Sequence, residues 1–119
     1  MKIVTERLVL REIDPERDFE AWAETMADAN TVRYLGSKPK SRLESWIHMA
    51  SNVGHWTIRG YGMFSLEHRE SGEWIGRVGP WNPVGWPEPE IGWTLSPRHR
   101  SRGYATEAAS AVLAHAFEE

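Results

Sequence analysis

Cysteine is absent from the 119 residues. That excludes a disulfide scaffold, a zinc-thiolate site and a cysteine nucleophile together. There is no run of about 18 apolar residues, so no membrane-spanning helix is expected. Mean hydropathy is -0.55, in line with that. The opening segment Met1-Lys2-Ile3-Val4-Thr5-Glu6-Arg7 has no apolar core followed by a small-residue cleavage site. A secretory signal is therefore not expected, and the cytoplasm is the expected location. Excess charge is also scarce: 17 acidic against 14 basic residues leave a net charge of -3. Nucleic-acid binders usually carry a basic excess, so RNA is not an expected partner. The phosphate-binding patterns G-x-x-x-x-G-K-[ST] and G-x-G-x-x-G are both missing, which leaves a P-loop or Rossmann site unsupported. His48, His55, His68 and His115 share no metal-ligand spacing, so no metal is expected.

What is there reads as one ordinary globular domain. Apolar residues make up 40% and charged residues 26%, and a chain of this length can bury a single core. Seven tryptophans promise a large aromatic core or an apolar cleft.

Leu8 to Ile13 reads as a first strand. Asp14-Pro15 then starts a helix, Asp as N-cap and Pro in the first turn. Phe19, Trp22, Ala23 and Met26 follow on one helical face. Asn30 to Lys40 reads as a loop. Ser41 and Glu44 form a capping box. Leu43, Trp46, Ile47 and Ala50 make the apolar face of the helix that follows, which Gly54 is expected to end. Trp22 and Trp46 are thus expected in the core. Gly60 to His68 and Trp74 to Gly79 read as a hairpin of two strands, Glu90 to Leu95 as a short strand. A last helix carries Ala105, Ala108, Ala109, Val112, Leu113 and Ala116 on one face. The order β-α-α-β-β-β-α predicts an α+β fold with mixed α/β layers.

The chemistry concentrates between the last strand and the last helix. A turn rich in Arg and Gly opens onto a helix N-terminus, whose first amides have no intrahelical partner. Such an end suits a phosphate or pyrophosphate. Gly103 lets the backbone come close, Ala105 keeps the approach uncrowded, and Arg98, Arg100 and Arg102 add positive charge. The same residues also fit an ordinary strand-to-helix turn with solvated arginines.

Arg100-Ser101-Arg102-Gly103-Tyr104-Ala105 matches [QR]-x-x-G-x-[GA], and on these residues the chain resembles the GNAT-fold N-acetyltransferases. Glu90-Ile91-Gly92-Trp93-Thr94-Leu95 with Arg102 to Ala108 resembles the RimJ/RimL-like branch. That branch acetylates N-terminal amines of ribosomal proteins and, in many relatives, other primary amines. Thr5 to Arg11 and Trp74-Ile75-Gly76 fit it as well. The resemblance covers residues 7–119 as one acetyltransferase domain. It implies acetyl-CoA as cosubstrate, an amine acceptor and no metal.

By the same resemblance, the backbone amides of Arg100, Ser101, Arg102, Gly103, Tyr104, Ala105 and Thr106 hold the pyrophosphate. The pantetheine arm pairs like a strand with Trp93, Thr94 and Leu95. The Leu95 backbone polarises the thioester carbonyl, and Glu90 is the candidate base, although it also reads as a polar strand-edge residue. Glu107 reads as a structural carboxylate in the first helical turn, and His99 as a surface residue. Trp81 and Trp86 border the expected acceptor mouth. Members of the family continue past this helix into a further strand, helix and hairpin, and that helix usually supplies a tyrosine that protonates the leaving thiolate. The resemblance thus implies the N-terminal part of a family domain, or a short protein that completes its cleft with a second copy. A homo-oligomer is the expected state. A CoA-binding or dimerisation module without catalysis is the alternative.

Overall fold

The computed structural model describes residues 2–118, with side chains as far as His115. Its elements are β1 (Lys2–Val4), β2 (Leu8–Arg11), α1 (Pro15–Ala27), α2 (Ala29–Tyr34), α3 (Arg42–Arg59), β3 (Phe64–His68), β4 (Trp74–Trp81), β5 (Glu90–Leu95) and α4 (Tyr104–Glu118). A 3-10 turn, Pro97–His99, leads from β5 towards α4. The sheet is antiparallel throughout, in the order β1-β2-β3-β4-β5.

Each face of the sheet has its own apolar cluster. On one side Leu8, Leu10, Phe64, Leu66, Ile75 and Val78 pack under Tyr104, Ala108 and Val112 of α4. On the other, Ile13, Trp22, Met26, Met49, Met63 and Trp74 gather beneath α1 and α3. The α+β reading holds, with helices on both faces.

Local signals explain most boundaries. Asp14 accepts from the amides of Glu16 and Arg17, and Pro15 opens α1. The Ser41–Glu44 capping box is formed in both directions and starts α3. Several boundaries differ from expectation: β2 ends at Arg11 rather than Ile13, β3 begins at Phe64 rather than Gly60, and β4 runs on to Trp81. β1 was not foreseen; it pairs Lys2 to Arg11 and Val4 to Val9. Part of the expected loop is α2, because the Asp28 side chain caps it by accepting from the Thr31 amide. Gly54 does not stop α3, which runs on to Arg59. Gly60 closes it at φ 81°, the left-handed conformation that glycine adopts without strain.

The buried face of α3 is also not the apolar one. Ser45, Met49, Asn52 and His55 point inward, while Leu43, Trp46 and Ile47 are exposed, Trp46 at 53%. The reason is what lies beneath: polar partners on β4 and in the following loop select a polar helix face.

A carboxylate network ties these layers together. Asp18 of α1 accepts from Arg11 of β2 at 2.8 and 2.9 Å, from Ser65 of β3 at 2.7 Å and from the Asp14 amide. Burial pushes the Asp18 carboxyl up, but these donors hold it below the usual carboxylate range. The indole of Trp74 donates to Ser65 in turn.

Candidate functional site

The pairing of β4 with β5 sets which groups the edge strand shows. Gly76 lies opposite Leu95, Arg77 opposite Thr94, Val78 opposite Trp93 and Trp81 opposite Glu90. The Ser96 amide donates to the Ile75 carbonyl at 2.7 Å, in continuation of that register. In an antiparallel ladder, hydrogen-bonded and non-bonded pairs alternate. Thr94, Gly92 and Glu90 therefore turn their peptide groups towards β4. Leu95, Trp93 and Ile91 turn theirs outward, and β5 is an edge strand among the described residues. Pro80, which has no N–H, stands opposite Ile91.

Beyond β5 the chain curls. Ser101 has φ 62° and Gly103 φ 79°, two left-handed residues within three positions. Within α4 and its lead-in, the Glu107 amide is the one that finds a backbone acceptor outside the helix, Gly103 O at 3.1 Å. Those of Tyr104, Ala105 and Thr106 lie ahead of the first helical bond and carry the positive end of the dipole. A Cβ on Gly103 would meet Arg7 Nη2 at 3.4 Å, while the outer side is open.

The turn is fastened from behind. Arg7 donates from Nη1 to the Arg102 carbonyl at 2.8 Å and from Nε to Glu107 at 2.6 Å, and its guanidinium lies 4.6 Å from the Tyr104 ring centre. Thr5 and the Arg7 amide also donate to Glu107. Burial pushes the Glu107 carboxyl up, but these donors hold it below the ordinary range. Glu107 is structural, as its position suggested.

The three arginines do not converge on the turn. Arg98 reaches Glu24 of α1 at 3.9 Å, and Arg102 is exposed. Arg100 donates to the Thr31 hydroxyl of α2 and lies 3.5 Å from Asp28. This joins the turn to α2 and makes one wall of a cavity of about 190 Å³, lined also by Tyr34, Leu35, Trp93, Thr94 and Leu95. Thus Arg100 and the 93–95 segment, expected to act together, share one cavity. Tyr104 is buried in the core under α4, so only its backbone belongs to the turn. Ser101 and Thr106 are exposed and Ala105 is half-buried. His99 is not the surface residue expected: it is buried, with Nδ1 against Ser96 Oγ and Nε2 3.3 Å from Glu73.

A second cavity, of about 330 Å³, adjoins the first through Leu35 and Trp93. Glu90, Trp81 and Trp86 line it together with Lys40, His48 and Arg77. Those three cavity-lining residues were not picked out from the sequence. The available signal was the polar face of α3: Ser45, His48, Asn52 and His55 recur at helical spacing, and Asn52 accepts from Arg77. His55 is fixed as well, Nδ1 donating to Tyr61 O and Nε2 accepting from the Asn82 amide. It stacks on Trp81 at 4.6 Å.

An open strand edge with outward peptide groups runs to a helix N-terminus that is uncovered among the described residues, and two adjoining cavities flank it, an arrangement that suits an extended ligand with an anionic tail. The acetyltransferase (GNAT) domain family matches residues 7–119. An acetyltransferase from Agrobacterium tumefaciens of known structure is 35% identical, covers 99% of this chain and 67% of its own, and superposes with a TM-score of 0.87. YnaD of Bacillus subtilis, named as an uncharacterized N-acetyltransferase, is 29% identical over 100% of this chain and 67% of its own length. RimL, a ribosomal L7/L12 alpha-N-protein acetyltransferase solved with coenzyme A, is 19% identical over 97% of this chain and 67% of its own and shares the fold at a TM-score of 0.71. The chain belongs to the GNAT acetyltransferase family, and it spans about two thirds of the length of these relatives.

Proposed function

We propose that the chain binds acetyl-CoA along the β5 edge and transfers its acetyl group to a primary amine. The observation that carries this is the phase of the β4–β5 ladder, which turns the peptide groups of Trp93 and Leu95 outward. An extended amide-bearing arm pairs with such groups as a further strand does. Its pyrophosphate end meets the amides of Ser101 to Thr106, with Arg100 beside it. Coenzyme A bound to RimL, a neighbour of the same fold, is consistent with this choice.

In the reaction, the lone pair of the neutral amine attacks the thioester carbonyl carbon. A C–N bond forms, and the carbonyl oxygen gains charge that the outward Leu95 N–H stabilises. The C–S bond then breaks, and CoA leaves as a thiolate that takes up a proton. The proton lost by the amine passes to Glu90, which lines the acceptor cavity, directly or through water. The acceptor is a protein N-terminus or a small-molecule amine. Association between copies and a cytoplasmic location belong to the same proposal. The exposed Leu43, Trp46 and Ile47 on one face of α3 support association, and light scattering and cell fractionation read the two.

Thr106→Asp tests the anion turn without threatening the fold. An acidic residue in the first helical turn favours the helix dipole, so the melting temperature should hold or rise. The added charge opposes a pyrophosphate, and calorimetric titration should show acetyl-CoA affinity falling at least about tenfold, the cost of roughly 1.4 kcal/mol. Unchanged affinity in Thr106→Asp would remove the turn from the cofactor site.

A further inference from the structure

Two arginines are buried in this fold, and they are treated differently. Arg11 is held by two carboxylates, Asp18 at 2.8 Å and Glu67 at 3.0 Å. Arg77 is equally buried, 8% exposed, and among the described residues no carboxylate lies within 4.0 Å of it. Its Nε donates to Thr94 Oγ1 at 3.1 Å and its Nη1 to Asn52 Oδ1 at 2.9 Å. A guanidinium has five N–H donors, so most remain unmatched by the described residues. Its indole neighbour Trp22 offers a ring face, 5.7 Å away, and no charge. A buried cation without a counter-charge is costly, and that cost is relieved if a ligand brings the anion. Burial lowers Arg77 to about 10, which leaves it charged at neutral pH.

Arg77 lines the cavity of about 330 Å³, and two further donors line it with Arg77. Lys40 lines it. So does His48, whose Nδ1 accepts from the Trp22 indole at 3.0 Å. An indole only donates, so the His48 proton sits on Nε2, a further donor. Burial, with the charges of Arg77 and Lys40, pushes His48 down to about 3, so it stays neutral. The carboxylate of this lining is Glu90, opposite Trp81 and thus four residues along β4 from Arg77, roughly 13 Å at strand rise. Cross-strand partners and alternate residues share a face, which puts Arg77, Trp81, Glu90 and Thr94 on one side of the sheet. The cavity is cationic towards Arg77 and anionic towards Glu90, and Trp81, Trp86 and Trp93 also line it.

We propose that the acceptor amine also carries a carboxylate, which seats on Arg77 with Lys40 and His48 beside it, while the amine faces Glu90. The acceptor class is then a zwitterion of amino-acid or short-peptide size. A polyamine is disfavoured, because its second cation would meet Arg77. The role of the amine rests on the acetyltransferase reading above; the anion seat does not.

The test titrates the full chain with N-acetylamino acids, from N-acetylglycine to N-acetylphenylalanine, each against its primary amide. Quenching of the cavity tryptophans is the readout. At least one carboxylate should bind about tenfold or more tighter than its amide, the span of one charge-assisted hydrogen bond. Arg77→Gln should erase that preference and Arg77→Lys should keep part of it. Should Arg77→Gln not fold by circular dichroism, Lys40→Ala takes its place, with a weakened preference expected. Amides that bind as well as acids across the series overturn the proposal. So does a preference untouched in the folded variant, or inorganic phosphate competing more tightly than any carboxylate. Acetyl-CoA titration of the same samples separates the two readings: its failure overturns the proposed acetyl-CoA binding at the β5 edge, and a missing carboxylate preference alone overturns the anion seat.

Discussion

Glu90 stands at the first position of β5, exposed and on the cavity rim, with its peptide group held to β4. If it takes the amine proton, Glu90→Gln removes the base and leaves the cleft intact. Turnover should drop about 100-fold, the low end for loss of a positioned base, with acetyl-CoA affinity nearly unchanged. An unaltered rate at neutral pH would take Glu90 out of the reaction. Single residues were legible in the sequence where their meaning is local. Asp14 and Ser41 cap as their neighbours dictate, and Trp22, on a helical face, is fully buried. Trp46, on an equally good face, is exposed, because the choice between two faces of α3 is made by β4 and not by α3. Arg77 was silent for a related reason: what distinguishes it is a missing partner, and only the folded chain shows who its neighbours are.

Elements were legible where punctuation is strong. β5 starts and stops where Pro89 and Pro97 bracket it, and α4 follows Gly103 directly. β1 was not, since three residues carry no period and gain their strand character from β2. The close seam between β4 and β5 was equally hidden. Gly76 faces Leu95 at such short range that a Cβ would come within 2.2 Å of the Thr94 carbonyl oxygen. Backbone is on the receiving end, so nothing can swing aside. Gly76→Ala should force the strands apart, costing about 1–3 kcal/mol in denaturant melts. It should also weaken acetyl-CoA binding, because the displaced strand is the one that offers Trp93 and Leu95. A variant with wild-type stability would mean that the seam yields more easily than its geometry indicates.

The molecule as a whole is a sheet gripped on both faces, and its acid response begins with groups on the α1–α3 side, with Glu107 of α4 joining at lower pH. His48, ordinarily near 6.5, is lowered to about 3 by burial first and by Arg77 and Lys40 next. The unfolded chain then takes up a proton that the folded one refuses, so stability declines as pH falls from 6.5 towards 3. Asp18, held below its ordinary 3.8, adds a second loss only when pH drops past that value towards its folded pKa. Melting curves should be flat above about pH 7 and lose roughly 1–3 kcal/mol by about pH 4. His48→Asn, which keeps an acceptor for the Trp22 indole, should flatten that decline; an identical slope in the variant would trace the loss to other groups.

The β5 edge presents peptide groups, and peptide groups are the same whatever side chain they carry. Short of proline, no point mutation at 91, 93 or 95 rewrites them. The inner face at 77, 81 and 90 is all side chain and can be rewritten one residue at a time. On the proposed reading, the donor end of the cleft is inherited with the fold, and the acceptor end is open to drift. New amine specificities can then arise in such a protein without renegotiating its grip on the acetyl donor.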